Sequence, residues 1–230
     1  MSLKRHAIFD LDGTLIDSLP GIAQSVDAAL AACGLPPAGR DLRPLIGPPI
    51  RSILATVSGV TEEGALERLE RAFRVSYDNG GWRFSPAYAG VEELLGDLQG
   101  AGIGLWVVSN KPALAAWKIL NRLRLDAYFD EIVCRDSRLP AYGSKAEALG
   151  DLIDRNRLPR AECVFIGDTG EDRRAAEAAR IECAIVAHGY GAAAQSEPDW
   201  DSVRERFQLA PAALVTVQSG ARKGSRHDRP

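Results

Sequence analysis

Apolar positions along this chain fall into two rhythms. His6-Ala7-Ile8-Phe9 is a short apolar run that stops at the polar turn Asp10-Leu11-Asp12-Gly13-Thr14, the pattern of a buried strand ending at a loop. From about Ser18 to Cys33 the spacing changes to threes and fours, with Ile22, Val26, Ala29 and Leu30 on one face of a predicted helix, closed by Gly34 and Pro36-Pro37. Between Gly39 and about Pro86 the pattern stays helical and poor in strands. Ile46-Gly47-Pro48-Pro49-Ile50 reads as a turn before a short helix. Thr61-Glu62-Glu63-Gly64 reads as an N-cap and first turn. Leu66, Leu69, Phe73 and Tyr77 then mark one face of a second helix, broken at Asn79-Gly80-Gly81.

After Gly90 helices and strands alternate. Strands are predicted over 104–108, 131–134, 162–166 and 183–186, and helices near 91–99, 112–123, 145–155 and 171–179. Alternation of this kind builds a parallel sheet from βαβ units. The expected fold is therefore α/β: a Rossmann-like parallel sheet made by residues 1–15 and 87–218, with an inserted helical subdomain over 16–86. The segment 219–230 is charged, lacks apolar spacing and is expected to be disordered.

Composition narrows the classes of function. The chain has 230 residues, 46% of them apolar, enough to bury a core. Lys and Arg number 28 against 31 Asp and Glu, a balance that offers no electrostatic footprint for nucleic acid or a membrane surface. Cys33, Cys134, Cys163 and Cys183 form no C-x-x-C pair, which argues against a zinc site. No apolar stretch approaches the roughly 20 residues of a membrane span, and the first strand begins too early to leave room for a signal peptide. The expectation is a cytoplasmic protein.

In an open parallel sheet, ligands lie beyond the carboxyl ends of the strands, and four such places carry chemistry. Asp10 and Asp12 are two carboxylates on one strand end and its turn, with Gly13 permitting a tight backbone and Thr14 following. One carboxylate can attack a phosphoryl group, and the other can supply a proton to the leaving oxygen. Ser109-Asn110 follows the second strand, where a hydroxyl and nearby backbone N–H groups can meet phosphoryl oxygens, although the pair could also be a plain helix cap. Lys145 opens a helix and can neutralise a nucleophile–phosphate pair. Asp168 ends the fourth strand, with Asp172 four residues on; such carboxylates suit a magnesium site or an acidic helix start. There is no G-x-x-x-x-G-K-[ST] loop, no G-x-S-x-G elbow and no G-x-G-x-x-G turn.

In this order the segments resemble the four signatures of the haloacid dehalogenase-like (HAD) hydrolases: Asp10-Leu11-Asp12-Gly13-Thr14-Leu15, Ser109, Lys145, and Gly167-Asp168 through Asp172. Ile46 to Arg51, Val108 to Pro112 and Gly189-Tyr190-Gly191 look like the phosphoglycolate phosphatase-like subgroup. The resemblance implies a helical cap after the first strand, Asp10 as nucleophile, Asp12 as acid and base, and magnesium held by Asp10, Asp168, Asp172 and the Asp12 carbonyl. Ser109 and Asn110 would hold the phosphoryl group, Thr14 would join them in binding the substrate, and Lys145 would offset charge. The family lysine is commonly followed by a proline-containing segment, whereas Ala146-Glu147 follows here; Lys145 is placed ahead of Lys111 by its spacing to Asp168. An acid at position 12 argues for phosphoryl transfer over dehalogenation, and the lysine-free stretch 16–86 argues against a Schiff-base phosphonatase. Arg51 is a candidate for a substrate carboxylate or second phosphate, with Arg83 and Trp82 behind it. The expected substrate is a small phosphorylated metabolite such as phosphoglycolate, handled by a monomer or homodimer. A phosphomutase, nucleotidase, pyrophosphatase or non-catalytic regulator of the same fold remains open.

Overall fold

In the computed structural model, which describes residues 3–191 and 196–212, the first strand pairs on both sides and everything else is arranged around it. Strands β1 (His6–Phe9), β2 (Gly104–Ser109), β3 (Glu131–Cys134), β4 (Cys163–Gly167) and β5 (Glu182–Ile185) form one sheet in the order β3-β2-β1-β4-β5. All four pairings are parallel. A strand at the centre of a parallel sheet is covered on both faces, which is why Ala7, Ile8 and Phe9 are all apolar and fully buried.

Successive side chains point to opposite faces. Ala7 and Phe9 join a core with α4 (Val91–Gly100), α5 (Ala113–Leu123) and α8 (Asp201–Arg206). Ile8 joins a second core with α6 (Lys145–Arg155) and α7 (Gly170–Ala179). A third apolar cluster lies within α1 (Leu19–Ala32), α2 (Ile50–Ser58) and α3 (Glu63–Asn79), built on Val26, Leu30, Leu54, Leu69, Phe73 and Tyr77. Gly21 of α1 lies so close to Gly81 that a Cβ there would stand 2.1 Å from the Gly81 carbonyl oxygen; only glycine fits that approach.

The chain leaves β1 and returns to α4 along two paired segments. Asp17 donates its N–H to the Pro86 carbonyl at 2.9 Å, and Tyr88 donates to the Leu15 carbonyl at 3.0 Å. The helical stretch between them is thus tied at its root by two antiparallel hydrogen bonds.

Several boundaries differ from the sequence expectation. Helix α3 is capped by Glu62, not Thr61; its carboxylate accepts from Gly64 and Ala65 at 2.8 and 2.6 Å. A short 3-10 turn takes residues 160–162, so β4 begins at Cys163, and β5 lies one residue earlier than 183–186. Helix α8 was not expected, although Trp200, Val203 and Phe207 are spaced three and four apart and all are buried. The segment 219–230 lies outside the described residues. No helix among the described residues is long and apolar enough to cross a membrane.

Candidate active site

Asp10 is the first residue beyond β1, and its N–H still bonds to the Ile166 carbonyl at 2.8 Å, so its position is fixed by the sheet ladder. The chain then winds about the Leu11 carbonyl, which accepts from Thr14, Leu15 and Ile16. Gly13 sits at φ +87 in this loop. A Cβ there would lie 2.4 Å from the Asp168 carboxylate, so both conformation and space require glycine.

Asp168 is the first residue beyond β4, the neighbouring strand. Its carboxylate accepts from the Tyr190 N–H at 2.6 Å, the Gly191 N–H at 3.4 Å and the Thr14 hydroxyl at 3.3 Å. Asp172 completes a capping box with Thr169, the N-cap of α7, and is fully buried. One carboxylate oxygen from each of Asp10, Asp168 and Asp172 lies within 4.8 Å of the others. Lys145, at the first position of α6, lies 3.0 Å from Asp10 and 2.7 Å from Asp172.

Burial and neighbouring charge set the protonation preferences here. Burial drives the Asp10 pKa well above the usual carboxylate range; Lys145 opposes the shift, while Asp172, Asp168 and Asp12 add to it. Burial and the charge of Asp172 push Asp168 up to about 6. Asp172 goes the other way: burial works against its charge, but Lys145 and the Thr169 donors outweigh it. Burial opposes the ammonium form of Lys145, yet Asp10 and Asp172 raise its pKa. Three buried carboxylates thus face one ammonium, and a divalent cation would match the remaining charge. An all-oxygen donor set suits a hard cation such as magnesium.

Asp12 belongs to a different pair. Both of its oxygens accept from the buried Lys111 ammonium, at 2.8 and 3.1 Å. Asp10, Asp12, Ser109, Asn110, Lys111 and Lys145 all line one cavity of about 460 Å³, closed on its far side by α2 and α3. Ser109 accepts from the Lys111 N–H at 3.2 Å. The Asn110 amide is engaged: it donates to the Gly47 carbonyl at 3.1 Å and to Glu171 at 2.9 Å, tying the loop before α2 to the start of α7. Arg51 lines the cavity, but its guanidinium lies 2.6 Å from Glu63 and 3.3 Å from Glu70. Arg83 turns to the Asn79 carbonyl and stacks over Trp82, and neither residue lines the cavity. The side-chain partner of Thr14 is Asp168.

Tyr190 was read in the sequence only as part of a loop. Its hydroxyl accepts from the Ser18 and Leu19 N–H groups at 2.7 and 3.0 Å and bonds to Asp17 at 2.9 Å. One residue therefore caps the start of α1 with its side chain and holds Asp168 with its backbone. The signal available in the sequence was the glycine on either side.

A family model described as haloacid dehalogenase-like hydrolase matches residues 7–186. The chain belongs to the haloacid dehalogenase-like hydrolases. Among relatives of this HAD chain, a phosphoglycolate phosphatase of Pseudomonas fluorescens (strain Pf0-1) is 32% identical over 228 residues, covering 94% of this chain and 82% of that protein. Tyrosine-protein kinase PtkA of Mycobacterium tuberculosis (strain ATCC 25618 / H37Rv) is 34% identical over 188 residues, covering 81% of this chain and 63% of that protein. Among solved structures, that of M. tuberculosis PtkA matches with a TM-score of 0.78 at 31% identity, covering 91% of this chain and all of that one (100%). A predicted phosphatase from Clostridium acetobutylicum matches with a TM-score of 0.77 at 27% identity, covering 90% and 99%.

Proposed function

We propose that this HAD hydrolase is a magnesium-dependent phosphatase that cleaves small phosphomonoesters, such as phosphoglycolate, through a phosphoryl group carried on Asp10. The observation that carries the reading is the Asp10 carboxylate on the cavity wall, 3.0 Å from Lys145, inside a three-carboxylate cluster and two residues from Asp12. Residues 16–86 act as the cap over that cavity.

A carboxylate oxygen of Asp10 attacks phosphorus as the bond to the leaving oxygen breaks, and Asp12 delivers a proton to the departing alkoxide. Asp12 then takes a proton from water, the water oxygen attacks phosphorus, and the bond to Asp10 breaks to release phosphate. In the substrate-free arrangement Lys111 holds Asp12. An arriving phosphate dianion competes for that ammonium and frees one Asp12 oxygen to carry the proton. Lys145 favours the ionised form of Asp10 against the effect of burial and offsets the incoming charge. The Ser109 hydroxyl, with backbone N–H groups near Asn110, meets the phosphoryl oxygens. Asp10, Asp168, Asp172 and the Asp12 carbonyl would hold magnesium, which would supply positive charge to the phosphoryl group.

A panel of phosphomonoesters assayed with and without magnesium tests the reading, with Asp10→Asn beside the wild type. Release of phosphate should require magnesium and fall at least about 10⁴-fold in the variant, with the circular dichroism spectrum unchanged. Appreciable turnover by pure Asp10→Asn protein would refute the role of Asp10. The likeness to PtkA supports a second reading, in which a tyrosine hydroxyl replaces water as the acceptor. Transfer to a tyrosyl peptide without phosphate release would favour it.

A further inference from the structure

Five cationic side chains and three carboxylates line the cavity. Four of the cations are already matched: Lys145 by Asp10, Lys111 by Asp12, Arg51 by Glu63 and Glu70, and Arg74 by Glu70 at 3.8 Å. The fifth, Arg135, is exposed and makes no side-chain hydrogen bond or ion pair with the described residues.

Its backbone, by contrast, is anchored through its carbonyl and through the residues on either side. The Arg135 carbonyl accepts from Tyr142 at 2.9 Å. The Cys134 N–H before it donates to the Ser137 hydroxyl at 2.8 Å, and the Asp136 carboxylate after it accepts from Ala113 at 2.7 Å. A fixed base thus carries an unmatched guanidinium at the carboxyl end of β3.

The sheet register gives the reach. Phe9 pairs with Val107, and Val107 with Ile132, so Asp10 is level with Val133, and Arg135 lies two residues further on. Strands are spaced about 4.8 Å apart and residues advance about 3.3 Å, so the Cα of Arg135 stands on the order of 12 Å from that of Asp10. An extended arginine spans roughly 6 Å of that distance. The Asp10 side chain takes up roughly 3 Å more, so the two charged ends stand close enough for one short substrate in the shared cavity to meet both.

We propose that Arg135 binds a second anionic group of the substrate, a carboxylate or a second phosphate, and so selects short phosphomonoesters that carry one. Guanidinium forks match both anions. Arg51, the residue the sequence singled out for this task, is neutralised by two glutamates of its own segment. The proposal rests on the phosphatase reading for its substrate but is tested by binding.

Calorimetric titration of wild type and Arg135→Gln with methylphosphonate, phosphonoacetate and methylenediphosphonate, under excess magnesium, separates the cases. Wild type should bind at least one of the two-anion probes about tenfold tighter than methylphosphonate, and which one identifies carboxylate or phosphate. That ratio should fall toward one in Arg135→Gln and recover in part in Arg135→Lys. A wild type without the preference, or an Arg135→Gln protein that keeps it, overturns the assignment. Because no turnover is read, an enzyme that failed to hydrolyse phosphomonoesters would leave this result standing on its own.

Discussion

The two walls of the cavity are built on opposite electrostatic terms. At the sheet edge, Asp10, Asp168, Asp172 and Lys145 are no more than 4% exposed, and each charge is held by the backbone or another buried group. On the helical wall, Arg51, Glu70 and Arg74 have side chains about a third exposed, and their ion pairs stand in partial contact with water. A buried charge that loses its partner is costly, whereas exposed pairs contribute little because solvent and salt screen them. The sheet edge is thus suited to chemistry, which needs charges that do not relax. The helical wall, whose ion pairs are screened, can change without unmaking the fold.

Removing Lys145 should break this contrast most severely. Lys145→Met leaves three buried carboxylates with no ammonium, and unfolding by urea without metal should show a loss of about 3–5 kcal/mol. Added magnesium should restore part of it. A loss below about 1 kcal/mol would mean that the sheet edge is held by packing and not by charge.

Tyr190 joins the two walls, so it sharpens the comparison. Tyr190→Phe keeps the backbone bond to Asp168 but leaves the Ser18 N–H without its acceptor and the Leu19 N–H with Asp17 alone, at 3.2 Å. The expected cost is about 1–2 kcal/mol, with faster amide exchange at Ser18 and Leu19. Unchanged exchange there would show that water caps α1 equally well.

The smallest expected effect is a pH dependence under the sheet edge. His188 is buried between Tyr88 and Trp200, ring centroids 4.5 and 4.8 Å away, and donates Nε2–H to the Thr14 carbonyl at 3.0 Å. Burial lowers its pKa, opposed by the bond to Thr14. The unfolded chain therefore takes up the proton first as pH falls. The stability contribution is complete above the ordinary histidine value and declines below it, by at most about 1.4 kcal/mol per pH unit. His6 is shifted the same way by burial, so the measurement is the difference between wild type and His188→Gln melting at pH 7.5 and 5.5. Parallel losses in both proteins would remove His188 from the account.

Periodicity along the chain was sufficient for the strands, seven of the helices and the strand-end positions of Asp10, Ser109 and Asp168, because each of those depends on a local repeat that must bury one face. It also fixed Lys145 at the start of α6, where Ser144 caps the helix. Short α8 escaped notice because three apolar residues in a polar stretch carry too little pattern. What only the folded chain decided is the pairing of long side chains. Asp12 and Lys111 meet across 99 positions, Asn110 reaches Gly47, Tyr190 reaches Ser18, and Arg135 alone among the cavity's cations stays unmatched among the described residues. Helix and strand follow from neighbours within a turn or two, but the partner of a charge is whichever group the crossover connections bring beside it, and no local rule records that distance.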